Sequence, residues 1–291
     1  MKLATFTAAL LLIPGILAAQ QPVPVPFDPD WVKPFLPFRV IGNIYWVGTW
    51  DLASYLITTP EGDILINSGL PETVPQIVQG IETLGFKISD VKLLLATHAH
   101  FDHVAGLAEL RSRTNAKIVL SRADAELFQS GGKLDFLFGN SPKALYESAP
   151  VVRTLADGDT ITLGGMTLTA HLHPGHTKGA TSFTTAVQEN GKTYRVGIMN
   201  MGSINDGVNV AGMPGFPDIE AAYRKTFRDQ KALDIDIFLA SHAGQFNLHR
   251  KYKPGDSYDP ERFVDPSGYR TAVARMEASF LAALAKAQAK K

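Results

Sequence analysis

The apolar run Val91-Lys92-Leu93-Leu94-Leu95-Ala96-Thr97 leads directly into His98-Ala99-His100-Phe101-Asp102-His103, and this junction constrains the fold more tightly than any other stretch. The run has the composition of a buried strand, so four potential metal ligands within six residues stand where that strand ends and a loop begins. Imidazole nitrogen and carboxylate oxygen suit zinc. Core packing is a poor use for such a cluster, because each imidazole and the carboxylate would need its own buried partner. Along an extended segment, alternation aims His98, His100 and Asp102 to one side and leaves His103 to turn towards a neighbouring position.

Two further histidines share this setting. His176 lies in the glycine-bounded loop His173-Pro174-Gly175-His176-Thr177-Lys178-Gly179, and His242 follows the apolar stretch Ile237-Phe238-Leu239-Ala240-Ser241. Three strand ends therefore each offer ligands, the usual way to gather a site at one edge of a sheet. The five histidines and one aspartate suffice for two zinc ions with open positions. His171 and His173 alternate along a strand and its exit, and His249 sits beside Arg250 and Lys251, so these read as surface or supporting residues rather than ligands. Asp124, Asp157, Asp159 and Asp206 read most simply as turn or cap residues.

Strand patterns cover residues 39–49, 54–59, 63–67, 92–96, 117–120, 160–163, 166–172, 193–199 and 235–240, with turns at Pro60-Glu61-Gly62 and Gly164-Gly165. Helical periodicity covers 71–84, a short segment 104–111, 219–233, and a long amphipathic stretch from Gly268 to the end. Strands and helices alternate in both halves, so the class is α/β. No repeat or linker-like break interrupts the chain, which reads as one domain. From 131 to 148 no period is clear, and a structureless loop of that length usually serves function. Residues 20–38, rich in proline and aromatics, read as an extended arm over the fold.

The 28 basic and 28 acidic side chains cancel, which removes the electrostatic case for nucleic acid or an acidic membrane as partner. Lys2, the apolar residues 3–17 and Leu17-Ala18-Ala19 have the order of a cleaved secretory signal, residues 1–19. Residues 20–291 are then the expected mature protein, periplasmic or secreted. It has no cysteine to acylate, to oxidise or to bind metal.

The motif His98-x-His100-x-Asp102-His103, followed by His176 and His242, resembles the metallo-β-lactamase superfamily from about Trp31 to the C-terminal helix. That resemblance implies an αββα sandwich with the zinc site at the edge between the two sheets. Gly48-Thr49-Trp50-Asp51-Leu52, Pro174-Gly175-His176-Thr177-x-Gly179 and Ser241-His242-Ala243-Gly244 are similar to the β-lactamases of class B, third subclass. Glyoxalase II, ribonuclease Z and the lactonases place a metal-bridging aspartate after the strand that follows the fourth histidine. Here the stretch Gly197-Ile198-Met199-Asn200-Met201-Gly202-Ser203 holds no carboxylate, and none follows before Asp206. The first and second subclasses use a cysteine there and the third a serine, which Ser203 matches. Many members of the third subclass carry a disulfide near the C-terminus. The matching positions here are Ile235 and Tyr269, so both partners are missing together.

The resemblance implies zinc one on His98, His100 and His176, zinc two on Asp102, His103 and His242, and attack of a zinc-bound hydroxide on the lactam carbonyl of a β-lactam. Asp102 would also orient the nucleophile. Ser203 and Asn205 would hydrogen-bond the substrate carboxylate, with Ser203 as a plain turn residue the alternative. Phe136, Phe138 and Tyr146 of the 131–148 loop, and Trp31 and Phe35 of the arm, fit cleft walls or, equally, the core. The expected protein is a monomer acting on a small molecule, in antibiotic resistance. Two alternatives are another zinc hydrolase on the same scaffold, acting on a lactone, thioester or phosphodiester, and a zinc-binding protein without turnover. The missing bridging carboxylate weighs against the first, and the six intact ligands against the second.

Overall fold

The protein is described by a computed structural model over residues 22–289, so the expected signal segment lies outside the described residues. Its strands form two sheets. The first holds seven strands in chain order: β1 (Phe38–Ile41), β2 (Ile44–Trp46), β3 (Tyr55–Ile57), β4 (Asp63–Ile66), β5 (Val91–Leu95), β6 (Lys117–Ser121) and β7 (Val151–Leu155). The second is ordered β12-β11-β10-β9-β8, from β8 (Thr160–Leu163), β9 (Met166–Leu172), β10 (Thr181–Glu189), β11 (Lys192–Met199) and β12 (Ile237–Ala240). Pairing is antiparallel from β1 to β4 and from β8 to β11, and parallel from β4 to β7 and between β11 and β12.

Alternation along the strands sets the layers. Tyr55, Ile57, Ile64 and Ile66 belong to the core that includes Leu168, Ala170 and Phe183 of the second sheet. Leu56 and Leu65, on the opposite face, pack with a separate cluster. That cluster includes Val74, Ile77 and Ile81 of α1 (Val74–Thr83). After the one-turn α2 (Phe101–Val104), it takes Leu107 and Leu110 of α3 (Leu107–Thr114) and Phe128 of α4 (Arg122–Gln129). On the second sheet, α5 (Ile219–Ala232), the short α6 (Leu248–Lys251) and α7 (Pro266–Gln288) complete the fourth layer. Tyr223 of α5 meets Phe280 of α7 at 5.3 Å, and Tyr269 of α7 meets Phe238 of β12 at 5.4 Å. Each fully buried ring or branched aliphatic side chain contributes about 1.5–3 kcal/mol. The result is the αββα sandwich.

Several elements differ from the sequence expectation. The 39–49 pattern is two strands divided at Gly42-Asn43, and 104–111 is two helices divided at Ala105-Gly106. β7 is mostly exposed and β10 is rich in threonine, so neither carries a clear apolar period, while α4 is amphipathic but only 8 residues long. Pairing with β6 and with β9 and β11 defines the two strands instead. Ile235 and Tyr269 are both buried, and the Tyr269 hydroxyl donates to the Gln230 carbonyl at 2.8 Å, which ties α7 to α5 without a disulfide. Among the described residues, no helix is long and apolar enough to cross a membrane.

Candidate metal centre

β5, β9 and β12 all run out at one end of the sandwich, and backbone and side-chain hydrogen bonds stitch the sheets together there. Thr181 N donates to Thr97 O at 2.7 Å, Ala53 N to Ser241 O at 3.1 Å, and Ser241 Oγ to Thr97 Oγ1 at 2.9 Å. The segment after β5 stays extended only as far as His100, which caps α2. Asp102 and His103 therefore sit on a helical turn, not on the extended segment that alternation suggested. Backbone bonding to His100 O from both His103 N and Val104 N explains the change.

The structure brings the six expected ligands together as two abutting sets. In the first, His100 Nδ1 and His176 Nε2 are 3.1 Å apart, and ligand atoms of His98, His100 and His176 all lie within 4.8 Å of one another. In the second, His103 Nε2 stands 3.0 Å from Asp102 Oδ2 and 3.2 Å from His242 Nε2, and His242 Nε2 is 3.5 Å from Asp102 Oδ2. Tetrahedral bonds of 2.0–2.1 Å to one zinc would hold ligand atoms about 3.3 Å apart. His98 Nε2 is buried with no hydrogen-bond partner among the described residues, a vacancy in its bonding that a cation satisfies. Donor set and spacing thus fit a metal.

Four of the five histidines have a polar partner at the far nitrogen, whereas His103 Nδ1 is buried with none among the described residues. His242 Nδ1 donates to Asp51 Oδ2 at 2.7 Å, and Asp51 Oδ1 accepts from Gly244 N at 3.2 Å. His176 Nδ1 donates to Ser203 O at 2.8 Å, with Ser203 Oγ at 3.2 Å. The Asn200 side-chain amide lies 3.0 Å from His98 Nδ1, and Asp135 Oδ2 lies 3.1 Å from His100 Nε2.

The two sets differ in charge. Burial holds His98 well below the ordinary histidine range, and burial together with His100 lowers His176 to about 3. Burial also lowers His103. Burial disfavours charge on His242 as well, but Asp102 and Asp51 outweigh it and push its pKa up to about 9. Burial opposes the charge of Asp102, yet His103 and His242 keep that carboxyl well below its usual range.

Asp124 is not the simple turn or cap residue its sequence context suggests. It is buried on α4, accepts from Ala99 N and Thr177 Oγ1 through Oδ2 and from Gly179 N through Oδ1, each at 2.9 Å, and so joins the 98–103 segment to the His176 loop. A Cβ on Gly179 would collide with Ser121 Oγ and Asp124, so only glycine allows that approach. Asp159 does serve its turn, accepting from Ala156 N, whereas the Asp157 side chain reaches across to Leu172 N of β9 and Lys225 Nζ of α5.

The remaining expected residues separate. Ser203 is half-buried against His176. Asn205 is half-buried, lines a crevice shared with Ala283, Lys286 and Ala287 of α7, and its side chain has no hydrogen-bond partner among the described residues. His171 pairs with Thr184, His173 with Ser182, and His249 stacks on Trp50 at 4.0 Å, all outside the ligand sets. Trp31 reaches the site, 5.9 Å from the His242 ring, whereas Phe35 packs among Phe38, Trp46 and Tyr252. Phe138 stands 5.5 Å from His100, and Tyr146 stacks on Phe128 at 5.8 Å. Asp51, Asn200 and Asp135 escaped the sequence reading as partners of histidines. All three lay in stretches already singled out, Asp51 in 48–52, Asn200 in 197–203 and Asp135 in the 131–148 loop, but nothing local paired them with a histidine.

Residues 48–189 match the family described as Metallo-beta-lactamase superfamily. Fold, ligand sets and match agree, and the chain belongs to the metallo-β-lactamase superfamily. Within it, the chain is 40% identical to a beta-lactamase from Chitinophaga pinensis, with a TM-score of 0.87, over 89% of this chain and 98% of that one. It is also 40% identical to a class B3 di-zinc metallo-beta-lactamase from an Alaskan soil metagenome, with a TM-score of 0.86, over 91% of this chain and 100% of that one. A hydroxyacylglutathione hydrolase from Rhodopseudomonas palustris is 26% identical over 47% of this chain and 44% of its own length. The chain spans about a third to a half of the length of the curated relatives it matches.

Proposed function

We propose that the protein is a zinc β-lactamase of the third class B subclass, hydrolysing the lactam amide of penicillins, cephalosporins and carbapenems. The observation that supports this reading is the convergence of five histidines and Asp102 at one sheet edge, with donor atoms of Asp102, His103 and His242 3.0–3.5 Å apart. Identity of 40% to beta-lactamases along nearly the whole of their length supports the substrate class.

His98, His100 and His176 would hold one zinc, and Asp102, His103 and His242 the other. Bound zinc supplies a Lewis acid and lowers the pKa of a water to about 7. The protein's own groups supply the rest. Asp102 is the single carboxylate among the ligands and is held ionised. With Oδ2 turned to His103 and His242, its Oδ1 orients the attacking water and holds its proton. The Ser203 carbonyl takes the His176 Nδ1 proton at 2.8 Å, which leaves Ser203 Oγ its own proton for the substrate carboxylate, with Asn205 as a second donor. No lysine or arginine lies between Val196 and Pro217, so recognition of that carboxylate from this loop rests on neutral donors.

The test is hydrolysis of a penicillin, a cephalosporin and a carbapenem by purified, zinc-loaded protein, with a chelator control. Chelator-sensitive ring opening, restored by zinc, is the expected result. Bound zinc with no turnover of any lactam would shift the reading to a lactone or thioester substrate.

A further inference from the structure

The 131–148 loop grips the ligand segment at two places. Near its start, Asp135 accepts from Leu137 N at 2.8 Å and Phe138 N at 2.7 Å, both through Oδ1. Its Oδ2 is left facing His100 Nε2 at 3.1 Å. Both atoms are buried and neither has a hydrogen-bond partner of good geometry among the described residues, so the two stand in contact at 3.1 Å with their bonding capacity still open. Near the end of the loop, the Tyr146 hydroxyl donates to Ala99 O at 2.7 Å. The base is closed by Tyr146 N donating to Gly131 O at 3.2 Å. Gly132, at φ +85°, permits this closure, since a Cβ there would stand 2.9 Å from Ala144 O.

We infer that Asp135 is a positioning residue that orients His100 for metal binding and locks the 131–148 loop to the metal centre, so that metal uptake and loop order are coupled. The inference rests on the reading of His100 as a metal ligand. Its physical basis is that a histidine ligating through Nδ1 must carry its proton on Nε2, where Asp135 accepts it. Leaving either buried atom unpaired is costly, so loosening one loosens the other.

Asp135→Asn separates the two duties of the carboxylate. Its oxygen must stay on the Leu137 and Phe138 amides, because the reversed amide would set a donor against two donors. The loop turn is kept, and an NH₂ group now faces His100 Nε2. That favours the tautomer with the proton on Nδ1, the nitrogen turned towards His176. Zinc affinity, read by competition with a chromophoric chelator, is expected to fall about 10- to 100-fold for one equivalent and to change less than about twofold for the other. Amide hydrogen exchange read alongside should show zinc protecting the 131–146 amides in the natural chain and failing to do so in Asp135→Asn. Asp135→Ala, which also removes the turn, should lose loop protection even without metal. The inference is overturned if Asp135→Asn binds zinc as the natural chain does, or if zinc leaves the natural loop's exchange unchanged; either result leaves the metal centre standing. A natural chain that binds no zinc overturns both the inference and the metal-site reading.

Discussion

His98, His100 and His176 bring three imidazoles together, supported by an amide, a carboxylate and a backbone carbonyl. Asp102, His103 and His242 contain a carboxylate of their own, and a second, Asp51, stands behind His242. Without metal, the first set holds two imidazoles kept neutral by burial, His98 and His176. The second is already an ion cluster, with His242 pushed towards the cation between two carboxylates. A protonated His242 there takes the place of a metal ion, so metal entering the second set must displace a proton. The first set has donor atoms waiting, apart from His100, which Asp135 favours in the charged form. The same edge is thus built from one half in which two of three imidazoles are held neutral and one half that is internally neutralised.

That contrast can be broken at several points. The largest effect is expected from Asp102→Asn, which removes the one carboxylate ligand. Steady-state kinetics should show kcat falling by about 10²–10⁴ with KM little changed. An unchanged kcat would refute the assigned role. Asp51→Asn leaves all six ligands in place and should weaken the second metal alone, by about 10- to 100-fold in affinity. Equal weakening of both metals would show that the two sets are not independent.

The pH dependence sharpens the comparison. His242 must be neutral to ligate and stays protonated below about 9 in the metal-free protein. The apparent affinity for the second metal should therefore rise with pH, by up to about tenfold per unit, and level off above that value. Calorimetric titration in buffers of different ionisation enthalpy would count the proton released. His98 and His176 contribute no such dependence near neutral pH. The smallest effect is expected from Ser203→Ala. Its carbonyl still accepts from His176, so kcat and zinc affinity should hold while KM rises a few-fold, about 1 kcal/mol for one lost hydrogen bond.

The sequence was most legible where chemistry and hydrophobic pattern coincide. An apolar strand ending on four ligand-type residues has few other uses; β4, β5 and β12 are apolar runs and β9 alternates, so all four are recognisable without partners. β7 and β10 were not legible, because exposed and threonine-rich strands are specified by the neighbours they pair with rather than by their own period. The candidate ligands were read from strand ends, but the residues that hold them were not. Asp135 lies in a loop without period, 35 positions from His100, and Asp124 is 53 from Thr177. Nothing local marks such aspartates as different from those in ordinary turns.

The chain by itself determined which atoms can bind metal, that none of them is a thiol, and that strand ends deliver them. These follow from side-chain chemistry and local periodicity, which are properties of neighbouring residues. Tertiary structure alone decided how the six candidate ligands divide by distance and charge, and that Asp51 stands behind His242, Asp135 behind His100, Asn200 behind His98 and the Ser203 carbonyl behind His176. Those outcomes depend on contacts between segments far apart in the chain, where burial and the field of a distant carboxylate set the protonation of an imidazole.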